Sequence, residues 1–140
     1  MKSLPYKIMI LVTGLMILNS SCDKSNPEPS PTDVRAKLLG TWNVTETKKK
    51  LNYQVVITAG SGSSSQIAIS NFANYLAIAG ASVSGNTITL NSNQQLFNGS
   101  SYITIISGVG SYSSSTNTIV MSYIYNDQAN QYTVNAIFSK

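Results

Sequence analysis

The chain predicts an all-β fold: a small antiparallel up-and-down meander closing into a β-barrel of about eight strands, with a short helix in front. Three observations point there. Apolar and polar residues alternate with period two in one short segment after another between Trp42 and Phe138, which is the pattern of half-buried strands. Clusters of Gly, Ser, Asn and Asp separate these segments, as tight connections require. Beyond Leu39 no amphipathic segment reaches helix length.

The elements follow in order. Asp33 to Leu39 holds good helix formers, with Thr32 or Asp33 as N-cap and Val34 and Leu38 four apart on one face. One or two turns of helix, ended by Gly40, is the expectation. Trp42 and Val44 then share one face of a strand, and Leu51, Tyr53, Val55 and Ile57 share one face of the next. Ile67 with Ile69, Ile88 with Leu90, and Ile103 with Ile105 repeat the pattern. Ile119, Met121, Tyr123 and Tyr125 make a longer face, as do Tyr132, Val134, Ala136 and Phe138. Gly60 to Ser64, Ser84-Gly85-Asn86, Ser113 to Asn117 and Asn126 to Asn130 read as turns. Asn71 to Gly80 stays open between a helical turn, a loop and an irregular strand.

Charge argues for closure. No charged side chain occurs from Leu51 to Asn126, and Asp127 is the only one between Lys50 and Lys140. Edge strands are normally defended by charge, and a barrel removes the need. The net charge of +4 includes Lys2 and Lys7. No basic stripe interleaves with aromatics, so nucleic acid is not an expected partner. Lys48-Lys49-Lys50 reads as a solvated turn, with an anionic-lipid contact as the alternative.

Catalytic chemistry has little to work with. The chain has no His and five carboxylates. Asp23, Glu28 and Asp33 fall before the first strand, which leaves Glu46 and Asp127, each at a strand end or turn. A glycosidase needs two carboxyls facing across a cleft, and a nucleophilic triad needs a base. No zinc ligand set and no calcium run is present, and Gly108-Val109-Gly110 is only a fragment of a phosphate loop. The expectation is a non-enzyme with no cofactor and no metal.

The N-terminus carries the address. Lys2 and Lys7 precede a short apolar run from Ile8 to Leu18, then Asn19-Ser20-Ser21 and Cys22, the sole cysteine. The run is too short to span a bilayer and reads as a removable leader, residues 1–21. A leader ending at a lone Cys resembles a bacterial lipoprotein signal, which implies an acylated Cys22 and an envelope location, the outer membrane in particular. An ordinary secretory leader cleaved near Ser20-Ser21 is the alternative. Asn19 stands where the usual lipobox has Leu, and the looser pattern, followed by Asp23-Lys24, resembles lipoproteins of the Bacteroidetes. Residues 22–33, with Pro27, Pro29 and Pro31, read as an extended tether. The domain proper is 34–140.

Gly40-Thr41-Trp42, after a short helix and opening the first strand, resembles the Gly-x-Trp motif of the lipocalin and calycin barrels. The Val83 to Ile88 hairpin and the Ser107 to Tyr112 segment look like small lipocalin-like lipoproteins of the Bacteroidetes. The resemblance covers Val34 to Lys140. It implies that Trp42 plugs one barrel end, that a basic residue of the last strand lies across it, and that a small apolar or amphipathic ligand is bound. The Thr-Asp-Tyr motif of those families is absent, and Lys140 is the only cation near the chain end. Tyr112, Tyr123, Tyr125 and Tyr132 line and rim the barrel on the plain reading; exposed beside Asn126, Asn130 and Gln131 they would contact a ligand or glycan. A surface module for glycans or host proteins, or a structural β-rich surface protein, are the competing functions.

Overall fold

The computed structural model describes residues 33–47 and 50–140. The leader, Cys22, the tether up to residue 32, and Lys48 and Lys49 lie outside the described residues. Nine strands follow one another: β1 (Gly40–Glu46), β2 (Leu51–Ala59), β3 (Gln66–Ser70), β4 (Ile78–Ser84), β5 (Thr87–Leu90), β6 (Gln94–Phe97), β7 (Tyr102–Ser113), β8 (Thr118–Asn126) and β9 (Gln131–Ser139). Every pairing is antiparallel. β1 pairs with both β2 and β9, and β5 pairs with β7, so eight strands form a closed ring with β6 as an extra strand on β7. The up-and-down barrel expected from the alternation is therefore what the chain forms.

The first and last strands meet in register from Asn43↔Ser139 to Glu46↔Ala136. The faces assigned from the sequence are the inner ones. Trp42, Val44, Val55, Ile57, Ile67, Ile69, Ile119, Met121 and Phe138 are all buried in one continuous cluster. Each such aliphatic or aromatic side chain contributes about 1.5–3 kcal/mol by leaving water. On β7 the register slips between Ile105 and Ser107. This bulge lets Ile105 and Gly108 both face inward. The Gly108-Val109-Gly110 stretch is thus inner strand, not phosphate loop. A Cβ on Gly108 would fall 2.4 Å from Leu90 and 2.8 Å from Tyr123, so glycine makes the room those side chains occupy.

The short N-terminal helix does not form. Residues 34–38 are turns, held by Ala36 N–H to Asp33 O, Leu38 N–H to Arg35 O, and Leu39 N–H to Arg35 O. The physical reason lies in what the segment must reach. Arg35 donates to the carbonyls of Gly60, Ser63 and Gln66 in the β2–β3 connection, and Lys37 donates to Gly85 O in the β4–β5 turn. A tight turn lays both cations across the barrel end, and Leu38 drops into the core. Gly85 holds φ 58 in that β4–β5 turn, as the sequence requires of a tight hairpin.

Trp42 seals the same end. Its indole N–H donates to Leu38 O at 2.6 Å, Tyr112 meets its ring edge-on at 6.3 Å between centroids, and Lys140 Nζ stands 4.5 Å from its ring centroid. Lys140 also donates to Leu39 O at 2.9 Å. Trp42→Ala should destabilise the domain by about 3–5 kcal/mol in urea unfolding, the usual range for emptying a buried aromatic site. Lys140→Met should cost only about 1 kcal/mol, the size of a partly exposed cation–π contact.

Candidate functional site

The opposite end of the barrel is the mouth, where β1 runs out and β2 begins. Alternation carries the inward face of β1 from Trp42 through Val44 to Glu46. Glu46 is therefore at a strand end, as its sequence position suggests, but it points inward and is 2 % exposed, the only buried charged side chain among the described residues. Two phenols meet it. Tyr53 of β2 donates its hydroxyl to Glu46 Oε1 at 2.8 Å, and Tyr123 of β8 donates to the same oxygen at 2.6 Å. Both distances lie within the usual range of hydroxyl–oxygen hydrogen bonds. The trio ties three strands together across the barrel interior.

A plug sits over this trio. Asn71 to Ala77 leaves β3 through a 3-10 turn at Phe72–Asn74 and sends Phe72 into the core, 4.9 Å from Tyr123 between ring centroids. The Ala73 main chain faces the Tyr53 hydroxyl and offsets a small part of the effect of burial on its phenol. Asn71 pins the turn by donating Nδ2 to Gln54 O and accepting the Leu76 N–H at Oδ1. Its backbone is costly: Asn71, Ala73, Asn74 and Leu76 hold φ of 54, 55, 59 and 47. Asn tolerates the left-handed region, whereas Ala and Leu resist it by about 1–2 kcal/mol each.

The residues singled out in the sequence divide between the two ends. Gly40, at φ 113, opens β1 ahead of Trp42 at the sealed end, and Tyr112 lies there too, its hydroxyl donating to Asn117. Tyr123, Tyr125 and Tyr132 all line the mouth. Tyr123 and Tyr125 are buried, and Tyr125 stacks on the half-buried Tyr132 at 5.2 Å. They pack rather than stand out as an open aromatic platform. Glu46, Tyr53 and Phe72 escaped the sequence reading as a group. The signal for the first two was available, since both sit on the inward phase of strands already recognised.

Asp127 plays no part at the mouth's interior. It is half-buried in the β8–β9 turn, where Oδ1 accepts the N–H groups of Ala129 and Asn130. Those main-chain donors hold its carboxyl below the usual range. Among the described residues no three His, Cys, Asp or Glu side chains gather in a way that could hold a metal ion. On the outer wall, a groove of about 290 Å³ runs over β1 and β2 past Asn43, Thr45, Asn52 and Gln54. These amides and hydroxyls are bonded across the strands, Gln54 Nε2 to Asn43 Oδ1 and Thr45 Oγ1 to Asn52 Oδ1.

No family model matches the chain, and it matches no curated protein and no solved structure at a significant level.

Burial pushes the phenols of Tyr53 and Tyr123 above the usual tyrosine range, and the Glu46 carboxylate adds to the effect. Each is an acid whose folded value exceeds its unfolded value of about 10. Their contribution to stability is therefore whole below pH ~10 and is lost as pH rises, because only the unfolded chain releases these protons. Urea unfolding between pH 10 and 12 should show stability falling by up to about 1.4 kcal/mol per pH unit for each phenol, with Tyr123→Phe removing about half of the slope. Glu46→Ala should cost about 3 kcal/mol at neutral pH by stranding two buried hydroxyls. Glu46→Gln, which keeps an acceptor oxygen, should cost less.

Proposed function

We propose that the chain is a lipid-anchored, non-catalytic protein of the bacterial cell envelope that binds its partners on its outside instead of carrying a ligand within. The observation that carries this reading is the packed barrel. From Leu38 and Trp42 at one end to Phe72 and Tyr123 at the other, the inward side chains are buried in a single cluster. An eight-stranded barrel is only just wide enough for its own side chains, and here they fill it. What is left for recognition is an outer wall rich in Asn, Gln, Ser and Thr, with Val56, Val109, Val120 and Ile137 exposed among them and no charge between Leu51 and Asn126. Glu46 and Asp127 are each taken up by bonds within the fold, which supports binding over catalysis. Acylation of Cys22 accounts for a lone cysteine after an export leader, and two or more acyl chains make a lasting anchor.

A second reading keeps the interior as a site for a small apolar or amphipathic molecule, as the lipocalin-like Gly-x-Trp start and the Lys140 contact with Trp42 would suggest. It draws on the backbone of Asn71 to Leu76: a segment that holds Ala73 and Leu76 left-handed stores energy that opening would release. For that reading Phe72 would have to leave the mouth.

The two separate in native mass spectrometry of the full chain extracted from its own membranes. The expected species carries acyl mass at Cys22 and nothing else. A stoichiometric co-purified apolar molecule would favour carriage inside the barrel. Cys22→Ser should move the chain out of the membrane fraction, and its retention there would remove the anchor from the proposal.

A further inference from the structure

Asn98-Gly99 is the only Asn-Gly pair in the chain. It stands in the connection between β6 and β7, Asn98 to Ser101, where every residue is exposed. The Asn98 N–H donates to Ser101 O at 3.2 Å and closes the turn. Gly99 holds φ 94, and a Cβ added there would meet nothing within 4 Å. The backbone angle is what calls for glycine. The same choice leaves the Gly99 nitrogen unshielded by any side chain.

The Asn98 carboxamide is held by its oxygen alone. Oδ1 accepts the Ser101 N–H at 2.8 Å, the Ser100 N–H at 3.0 Å and the Ser101 hydroxyl at 3.4 Å. Neither Asn98 Nδ2 nor the Gly99 N–H donates to any described group. Main-chain donors this close to a carbonyl oxygen draw charge from its carbon, and they stand where they would hold an oxyanion formed on that oxygen. The amide nitrogen that would leave is unbonded. So is the main-chain nitrogen one residue on, whose attack on Cγ closes a five-membered ring.

We propose that Asn98 is a site of spontaneous modification in the folded protein, converting through a cyclic imide to aspartate and isoaspartate. Solvent base removes the Gly99 amide proton. The nitrogen adds to Asn98 Cγ, and the negative charge passes to Oδ1. The Cγ–Nδ2 bond then breaks, and ammonia leaves with a proton taken from water. A water molecule afterwards opens the imide. Addition at Cγ restores the normal chain and gives aspartate; addition at the main-chain carbon gives isoaspartate, with the chain routed through Cγ. Water is the only co-reactant consumed, and nothing is oxidised or reduced. Either product carries a carboxylate, the first charge in the run from Leu51 to Asn126. It falls beside Phe97, which is 45 % exposed and stacks on Tyr102 at 4.5 Å across the same turn. A neutral outer face thus turns acidic at one place as the molecule ages. The step is independent of the anchor and of the outside partners proposed above.

Peptide mapping by mass spectrometry of the purified full chain in detergent, sampled over weeks at neutral and mildly alkaline pH, tests this. Asn98 should convert at least roughly tenfold faster than Asn91 and Asn117, the exposed asparagines of the β5–β6 and β7–β8 connections. The rate should rise with pH, because the attacking group is the deprotonated amide. Isoaspartate should accumulate beside aspartate, which direct hydrolysis of the side-chain amide does not give. Gly99→Ala should slow conversion at least roughly tenfold by setting a methyl group beside the attacking nitrogen. Gly99→Asn, which tolerates positive φ, serves where Gly99→Ala opens the turn. The buried emission of Trp42, recorded on the same samples, reports the fold. Conversion at Asn98 no faster than at Asn91 or Asn117, conversion unmoved by both variants, or conversion confined to chains that have lost the Trp42 signal would each overturn the proposal.

Discussion

Trp42 is held from three sides. Its indole N–H is taken by Leu38 O, its face lies under Lys140 Nζ, and its edge meets Tyr112. These partners come from the N-terminal turn, the end of the chain after β9, and β7. One side chain therefore links the entry to the domain, its exit and the far wall. The β1–β9 ladder beside it pairs residues almost a hundred positions apart in sequence order, such as Val44↔Phe138. Such a contact has a high loop-closure cost and is made only once the strands between are in place. The cations at this end reinforce it without forming surface ion pairs with distant acids. Arg35, Lys37 and Lys140 each reach carbonyl oxygens of connections that would otherwise have only water. A protein with so few charges spends most of its described ones on binding its own backbone.

The mouth is held by different chemistry. A carboxylate in an apolar interior is tolerable only when its oxygens are satisfied, and Glu46 takes two phenolic hydroxyls on one oxygen. The phenols gain as much as the acid does. Each is a buried hydroxyl in need of an acceptor, and inward strand positions offer no free main-chain carbonyl. The trio meets the plug where Phe72 packs on Tyr123, 4.9 Å between ring centroids. Phe72 and Glu46 thus share Tyr123 as a neighbour. Strain in the Asn71 to Leu76 backbone is offset by the burial of Phe72 and by the two bonds of the Asn71 side chain.

Much of this fold was legible because β-branched and aromatic residues mark the inner faces of β1, β2, β3, β5, β8 and β9 with period two. Two strands were not. β4 builds its inner face from Ala79, Ala81 and Val83 between Gly and Ser, residues that carry weak strand preference on their own. β6 is Gln94 to Phe97, too short and too polar to register. β7 extends well past Ile106 to Ser113, because its later inner positions are Gly108 and Gly110. Each omission has one cause: small or polar residues occupy strand positions where a large neighbour fills the space. The short helix failed for the opposite reason. Its local preferences were sound, but Arg35, Lys37 and Leu38 each find a tertiary partner that a turn reaches better. Of the mouth, Tyr123 and Tyr125 were marked by alternation as inner-face residues. The plug was not, since left-handed Ala73 and Leu76 leave no trace in composition.

Those small residues decide what the barrel can hold. A ring of eight strands has a fixed bore, and the space left after its side chains are placed depends on the sizes at the inner positions. Ala79, Ala81, Gly108 and Gly110 remove volume from one side of the wall. In a carrier such positions would open a chamber. Here the vacated space is taken up by long side chains from elsewhere: Leu90 and Tyr123 press on Gly108, Met121 and Ile119 on Gly110, and Phe72 enters from the mouth. The large and small positions interlock across the bore, which is the behaviour of a close-packed core. Hollowing it would require trimming the large partners, not the small ones. The same exchange leaves Ile78, Leu76 and Phe97 outside, with no inner position free to receive them. The filled interior and these exposed apolar side chains are thus two consequences of one distribution of side-chain size.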